Sequence, residues 1–314
     1  MGGEAAETGW MALGVEVAAR VARSWVATAA VGWAVVYGGV RVWFAIGNAP
    51  VWKLPGHDLL VPDWIAVAGC LVSAAGVIAL GRRPRSRALI RLLWVLAAGW
   101  VAAAGFALLD LVAGLLPGLG IPFDLRGMFS RFAALGGAAL LGATAVTYQR
   151  RLDPACLRCT GWPRPASTPT WPAWLAVVGC LTRLAAQAVV GFGSTPYDGS
   201  LSLVVFEGGF VLAGVALPLL LVYRLGRVFP RWMLLLPGLG LGAGITAYFG
   251  VGLLQMVGNV IQGEPAYGDV GLPEAFFWVA VPAYLVWGVG LTLAAYGYYL
   301  RTRKPCKGCG LPQV

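Results

Sequence analysis

The sequence predicts an all-α polytopic membrane protein, and three observations carry that prediction. Of 314 residues, 59% are hydrophobic and only 11% charged, with a mean hydropathy of +0.77, whereas a soluble domain carries about 25% charged residues. Apolar runs of about 20 residues recur along the chain, each long enough to cross about 30 Å of hydrocarbon at 1.5 Å per residue. The charges fall in short bands between these runs. The same numbers exclude a disordered chain and a secreted disulfide scaffold. The net charge of +10 reads as membrane topology rather than as a nucleic-acid footprint. The single histidine, His57, excludes a site built on several imidazoles.

Eight runs are expected to span, at roughly 24–46, 63–81, 88–116, 129–149, 172–193, 201–223, 232–257 and 276–300. Gly and Ala are frequent inside them, as in Gly136-Gly137-Ala138-Ala139 and Gly238-Leu239-Gly240-Leu241-Gly242. Small residues let helices approach closely where lipid supplies no hydrophobic drive, so the runs read as one bundle. Residues 1–23 place Trp10, Leu13, Val17 and Val21 at helical spacing, with Glu16, Arg20 and Arg23 on another face. That pattern fits an interfacial amphipathic helix and equally a tail leading into the first span. Trp43, Trp52, Trp64, Trp171, Trp232 and Trp278 fall near span ends, where an interfacial aromatic belt belongs.

Loop charge sets orientation. Arg82, Arg83, Arg85 and Arg87 follow the second run, and Arg150, Arg151, Arg158 and Arg164 the fourth. Arg224, Arg227 and Arg231 bracket the sixth loop, and Arg301, Arg303, Lys304 and Lys307 follow the eighth run. The alternate loops hold Asp58, Asp63, Asp124, Asp198, Glu264, Asp269 and Glu274, with only Lys53, Arg126 and Arg131 as bases. The positive-inside rule then puts both termini in the cytoplasm of a multi-pass plasma (cytoplasmic) membrane protein.

The chain reads as a duplication: 24–161 as a first four-helix repeat, 162–171 as a linker and 172–314 as a second repeat. Arg150-Arg151 with Cys156-x-x-Cys159 closes the first half. Arg301 with Cys306-x-x-Cys309 closes the second at the same offset. Asn48-Ala49-Pro50 matches Ser194-Thr195-Pro196, and Asp63 matches Glu207. Gly120-Ile121-Pro122 matches Gly271-Leu272-Pro273. An even number of spans per half gives parallel repeats about an axis along the membrane normal.

Two Cys-x-x-Cys turns supply four thiolates, a tetrahedral set suited to structural zinc. Cys156, Cys159, Cys306 and Cys309 are therefore the expected zinc ligands, forming a clasp between the halves. A disulfide or a metal-free tail is the competing reading. Cys70 and Cys180 lie inside spans and read as small apolar fillers.

Ionisable groups inside spans are costly and face the bundle or a cavity. Four stand out: Arg41, Asp110, Arg183 and Glu207. Arg41 and Asp110 each sit about six residues from the outer end of a span, roughly 9 Å deep by helical rise, so an Arg41–Asp110 pair is expected. Arg183 is expected to reach Glu207. Tyr37 and Gln187 lie one turn from Arg41 and Arg183. These six residues are the candidates for an outward-facing polar cavity that binds or moves a small molecule without chemistry. Ion pairs that only set helix register are the plainer alternative.

The Ala-, Gly- and Arg-rich spans ending in Trp resemble multi-pass membrane proteins of high-GC Gram-positive bacteria, a likeness that implies no activity. Gly271-Leu272-Pro273-Glu274-Ala275-Phe276-Phe277 resembles the Pro-x-Glu-Glu stretch of membrane lycopene cyclases. That likeness implies an isoprenoid-acting enzyme with Glu274, Asp124 or His57 as acid or base, although Ala275 stands where a second acid would serve. A scaffold docking a protein partner on a cytoplasmic zinc platform is a third expectation. The chain has no P-loop, no Gly-x-Ser-x-Gly and no His-Glu-x-x-His.

Overall fold

Hydrocarbon leaves a backbone no water to bond, so every spanning segment must satisfy its own polar groups. The computed structural model describes residues 25–53, 58–116, 122–152, 169–191, 201–267 and 272–302, and among them the regular structure is helical, with no strand. Seven helices are long and apolar enough to cross a membrane, and one further pair qualifies as a single bent span.

Helix α1 (Trp25–Asn48) widens to a π turn at Phe44–Asn48 and stops where Gly47 takes φ 97°, a backbone that glycine adopts without strain. Helix α2 (Asp63–Arg82) starts after Pro62 with Asp63 in its first turn and Arg82 in its last, charges that match the helix dipole. Helices α3 (Arg87–Ala103) and α4 (Ala107–Leu115) meet at a 45° bend. The expected span 88–116 is therefore not one straight helix. The amide of Gly105 donates to the Ala102 carbonyl, and a Cβ at Gly105 would meet the Leu60 side chain. The break is thus a tight turn at which Gly105 leaves room for Leu60.

Helix α5 (Leu125–Leu152) is capped by Asp124, whose Oδ1 accepts from the Gly127 amide at 3.1 Å. It starts four residues before the expected run. Helix α6 (Trp171–Val190) carries Pro172 in its first turn. Helix α7 (Leu201–Val211) runs through a π turn at Leu212–Ala216 into α8 (Leu217–Val222). Pro218 has no N–H for the carbonyl one turn back, and the widened turn absorbs that loss. Helices α9 (Arg231–Ile261) and α10 (Glu274–Arg301) each follow a proline. Trp43, Trp64, Trp171, Trp232 and Trp278, all close to helix ends, are exposed, as an interfacial belt requires.

The chain packs as two compact units. One gathers α1, α2, α3 to Trp100 and α5 from Ala133; the other gathers 51–60, the stretch Val101–Phe132 and α6–α10. The division differs from a cut at 161, because α4 and the first turns of α5 join the second half of the chain.

In the first unit Trp33 stacks on Tyr37 at 5.6 Å and meets Trp100 edge-on at 5.2 Å. The Trp33 indole donates to the Ala133 carbonyl, and the Trp100 indole to Ser73 Oγ. In the second unit α10 is central. A Cβ at Gly179 would strike the Ala283 carbonyl, and one at Gly290 would strike Ala176 and Pro172 backbone. Gly242 faces Thr292 and Gly288 faces Thr246 just as closely. Arg301 donates to the Leu221 and Val222 carbonyls, both at 2.8 Å, and so satisfies the C-terminus of α8.

Gly290→Leu is expected to lower the thermal midpoint in detergent by the ~1–3 kcal/mol typical of overpacking or more, because backbone rather than a side chain must move. Gly240→Ala, where a Cβ meets nothing within 4 Å, is expected to leave the midpoint unchanged or raise it by about 0.5–1 kcal/mol. Fluorescence-detected size exclusion after heating reads both.

Candidate functional site

Each buried arginine inside a span brings a carboxylate with it. Arg41 on α1 meets Asp63 at the start of α2, Nη2 to Oδ1 2.6 Å. Its guanidinium lies 5.8 Å from the Tyr37 ring centre and 5.5 Å from that of Phe44. Arg183 on α6 meets Glu207 on α7 at 3.1 Å and donates through Nε to the Tyr284 hydroxyl at 2.7 Å. The Phe210 ring lies 4.9 Å from that guanidinium. Gln187, one turn on, donates to the Gly191 carbonyl at the end of α6.

The third centre departs from expectation. Asp110 takes Arg131, not Arg41, as its salt-bridge partner: Arg131 Nη1 lies 2.7 Å from Oδ1 and 2.6 Å from Oδ2. Both side chains are fully buried. Arg131 Nε donates to the Asp58 carbonyl at 2.6 Å, and Nη2 lies 4.0 Å from Asp124 Oδ2. The physical reason is the early start of α5. Arg131 sits nearly two turns inside the helix with its side chain fully buried, so it pairs with the acid that α4 brings beside it. The cap that moves the helix start, Asp124 three residues before Gly127, is readable in the sequence and is the signal that points to Arg131.

A cavity of about 640 Å³ opens within the second unit. Its wall draws on α4, α6, α7, α9 and α10, and its polar edge is Arg183 and Gln187. Arg41, Tyr37, Asp110 and Glu207 are not in this wall. Nine of its 24 lining residues are aromatic, against 11% of the chain. Phe276 is in the first turn of α10 and Trp287 is about three turns deeper, so the cavity runs roughly 15–20 Å along the helices. These aromatic residues carry no sequence motif, because their gathering comes from segments distant in the chain.

Glu274 Oε1 accepts from the Ala266 amide at 2.8 Å and Asp124 caps α5. Both carboxylates are engaged with backbone, and neither lines the cavity. His57 lies outside the described residues, as do Cys156, Cys159, Cys306 and Cys309. Among the described residues no group of three or more His, Cys, Asp or Glu is placed to hold a metal. Cys70 and Cys180 are free and buried, in the filler role expected of them. Cys180 Sγ packs where a Cβ on Gly214 would stand.

Truncating one member of a buried pair leaves the other charge stranded, at a cost of about 3–5 kcal/mol. Asp110→Leu alone and Arg131→Met alone are each expected to lose folded yield. The double variant is expected to recover part of it, since both desolvation costs vanish together; size-exclusion profiles decide. No protein-family model, curated protein or solved structure matches this chain.

Proposed function

We propose that the chain is an integral membrane protein that binds, and by binding moves, a small apolar molecule through the cavity of its second unit. The cavity carries this reading: about 640 Å³, with nine aromatic residues among the 24 that line it. That volume lies within the ~300–1,000 Å³ of small-molecule sites.

We extend the proposal to topology. Eight spans in two parallel four-helix repeats follow if the bent pair α3–α4 counts as one span. Two ion pairs support the duplication: the first helix of each half holds an arginine, Arg41 or Arg183, bonded to an acid near the start of the next helix, Asp63 or Glu207. Cytoplasmic termini in the plasma membrane follow from Arg82, Arg83, Arg85 and Arg87, all exposed, by the positive-inside rule. The zinc clasp belongs to the same proposal, since Cys156 follows α5 and Cys306 follows α10 within about one to two helical turns of chain.

Two experiments test this. Protein purified into nanodiscs is extracted with solvent and its bound molecules are identified by mass spectrometry. Gly209, which lines the cavity and has open space at its Cβ position, is replaced by Phe to fill it. Wild type is expected to retain a compound that Gly209→Phe loses; equal retention removes the reading. Elemental analysis is expected to find stoichiometric zinc that falls away in Cys156→Ser with Cys306→Ser, and zinc-free wild type removes the clasp.

A further inference from the structure

We infer that the cavity takes a neutral lipid with a flat conjugated ring head and a short hydrocarbon tail, the chemistry of a prenylated quinone; this rests on the cavity being a ligand site. Three features of the wall lead there. The first is its aromatic content, nine residues in 24, more than three times the share in the chain. An acyl chain is accommodated equally well by Leu and Val. Ring faces add about 0.5–1.5 kcal/mol only for another ring, which is about two- to tenfold in affinity.

The second feature is the geometry of those rings. Phe249 and Tyr284 are stacked 3.9 Å apart at 6°, and Tyr267 and Phe277 4.3 Å apart at 5°. Both near-parallel pairs line the same cavity. Ring surface therefore borders the space that a planar head would enter.

The third is charge. Among the described residues Arg183 is the one charged group in the cavity lining, and its guanidinium is already held by Glu207 through Nη1 and Nη2 and by Tyr284 through Nε. An anionic head would meet the Glu207 carboxylate behind the arginine. A cation would meet the arginine itself. A neutral carbonyl avoids both and accepts from a tyrosine hydroxyl or the Gln187 amide. The volume gives the scale: about 640 Å³ lies within the ~300–1,000 Å³ of small-molecule sites, room for a fused ring with a short prenyl tail.

The test uses the full chain in phosphatidylcholine nanodiscs, with menaquinone bearing two prenyl units as probe and quenching of tryptophan fluorescence as readout. Competitors are geranylgeraniol (neutral, acyclic), oleate (carboxylate) and tetraphenylphosphonium (cation). Saturable quenching is expected. It should weaken at least tenfold in Gly209→Phe and about fivefold in Phe249→Leu, with both variants eluting as wild type in size exclusion. Each competitor is expected to displace the probe at least tenfold less well than a non-quenching quinone analogue. Displacement by geranylgeraniol, oleate or tetraphenylphosphonium as effective as by that analogue overturns the ligand class while the cavity stands as a site. Quenching that is unchanged in Gly209→Phe overturns the site and the ligand class together.

Discussion

An arginine that enters hydrocarbon must take its counter-charge with it, and much of the helix arrangement follows from that. The cost of an unpaired guanidinium at mid-span is several kcal/mol, so each buried arginine restricts which helices can be neighbours and in what register. Arg41 ties α1 to the start of α2, and Arg183 ties α6 to α7. Arg131 ties α5 to α4 and, through its Nε, to the segment around Asp58. The bend after α3 is part of the same constraint. A straight helix would carry Asp110 on in the direction of α3, whereas the turn at Gly105 redirects α4 so that its acid faces the arginine of α5.

Between these charged ties, side-chain size decides where helices touch and where they part. The small residues Gly238 and Gly242 lie toward the Arg231 end of α9, and Gly288 and Gly290 lie in the half of α10 that leads to Arg301. There a Cβ at each would meet the neighbouring helix. Toward the other end the same two helices carry Tyr248, Phe249, Phe276, Phe277 and Tyr284. Those rings line the cavity. The cavity thus lies toward the large-residue end of a small-to-large gradient along one helix pair, whose other end is joined by close backbone contact.

Much of this is legible in the order of the residues alone. The positions of the long apolar helices follow from apolar run length, because hydrocarbon thickness is a fixed ruler. The Arg183–Glu207 pair follows from depth along adjacent helices. The Arg41–Asp110 pairing fails for an instructive reason: two groups at equal depth have no obligation to share a helix interface, and depth is all that a single sequence reveals. Asp63 reads as a loop acid, yet its place in the first turn of α2 puts it within reach of Arg41. Arg131 likewise reads as a loop base until the Asp124 cap moves the helix start. The cavity is illegible in principle, since its rings come from α7, α9, α10 and the loop residue Tyr267, with Leu108 and Val112 of α4 completing the wall.

The two units also solve one packing problem in opposite ways. In the first, Trp33, Tyr37 and Trp100 pack against one another and against Gly137 and Gly69, which leaves Tyr37 and Trp100 buried. Tyr37 thus serves beside Arg41 as core. In the second, Phe210 and Tyr284 flank Arg183 in the same way, and both also line the cavity. An arginine shielded by aromatic rings is the common device, and what differs is whether small residues let the next helix close over those rings. Gly137 and Gly69 supply that closure in the first unit. In the second, Phe249 stacks on Tyr284, and Phe210, Phe249 and Tyr284 all border the cavity rather than a neighbouring glycine.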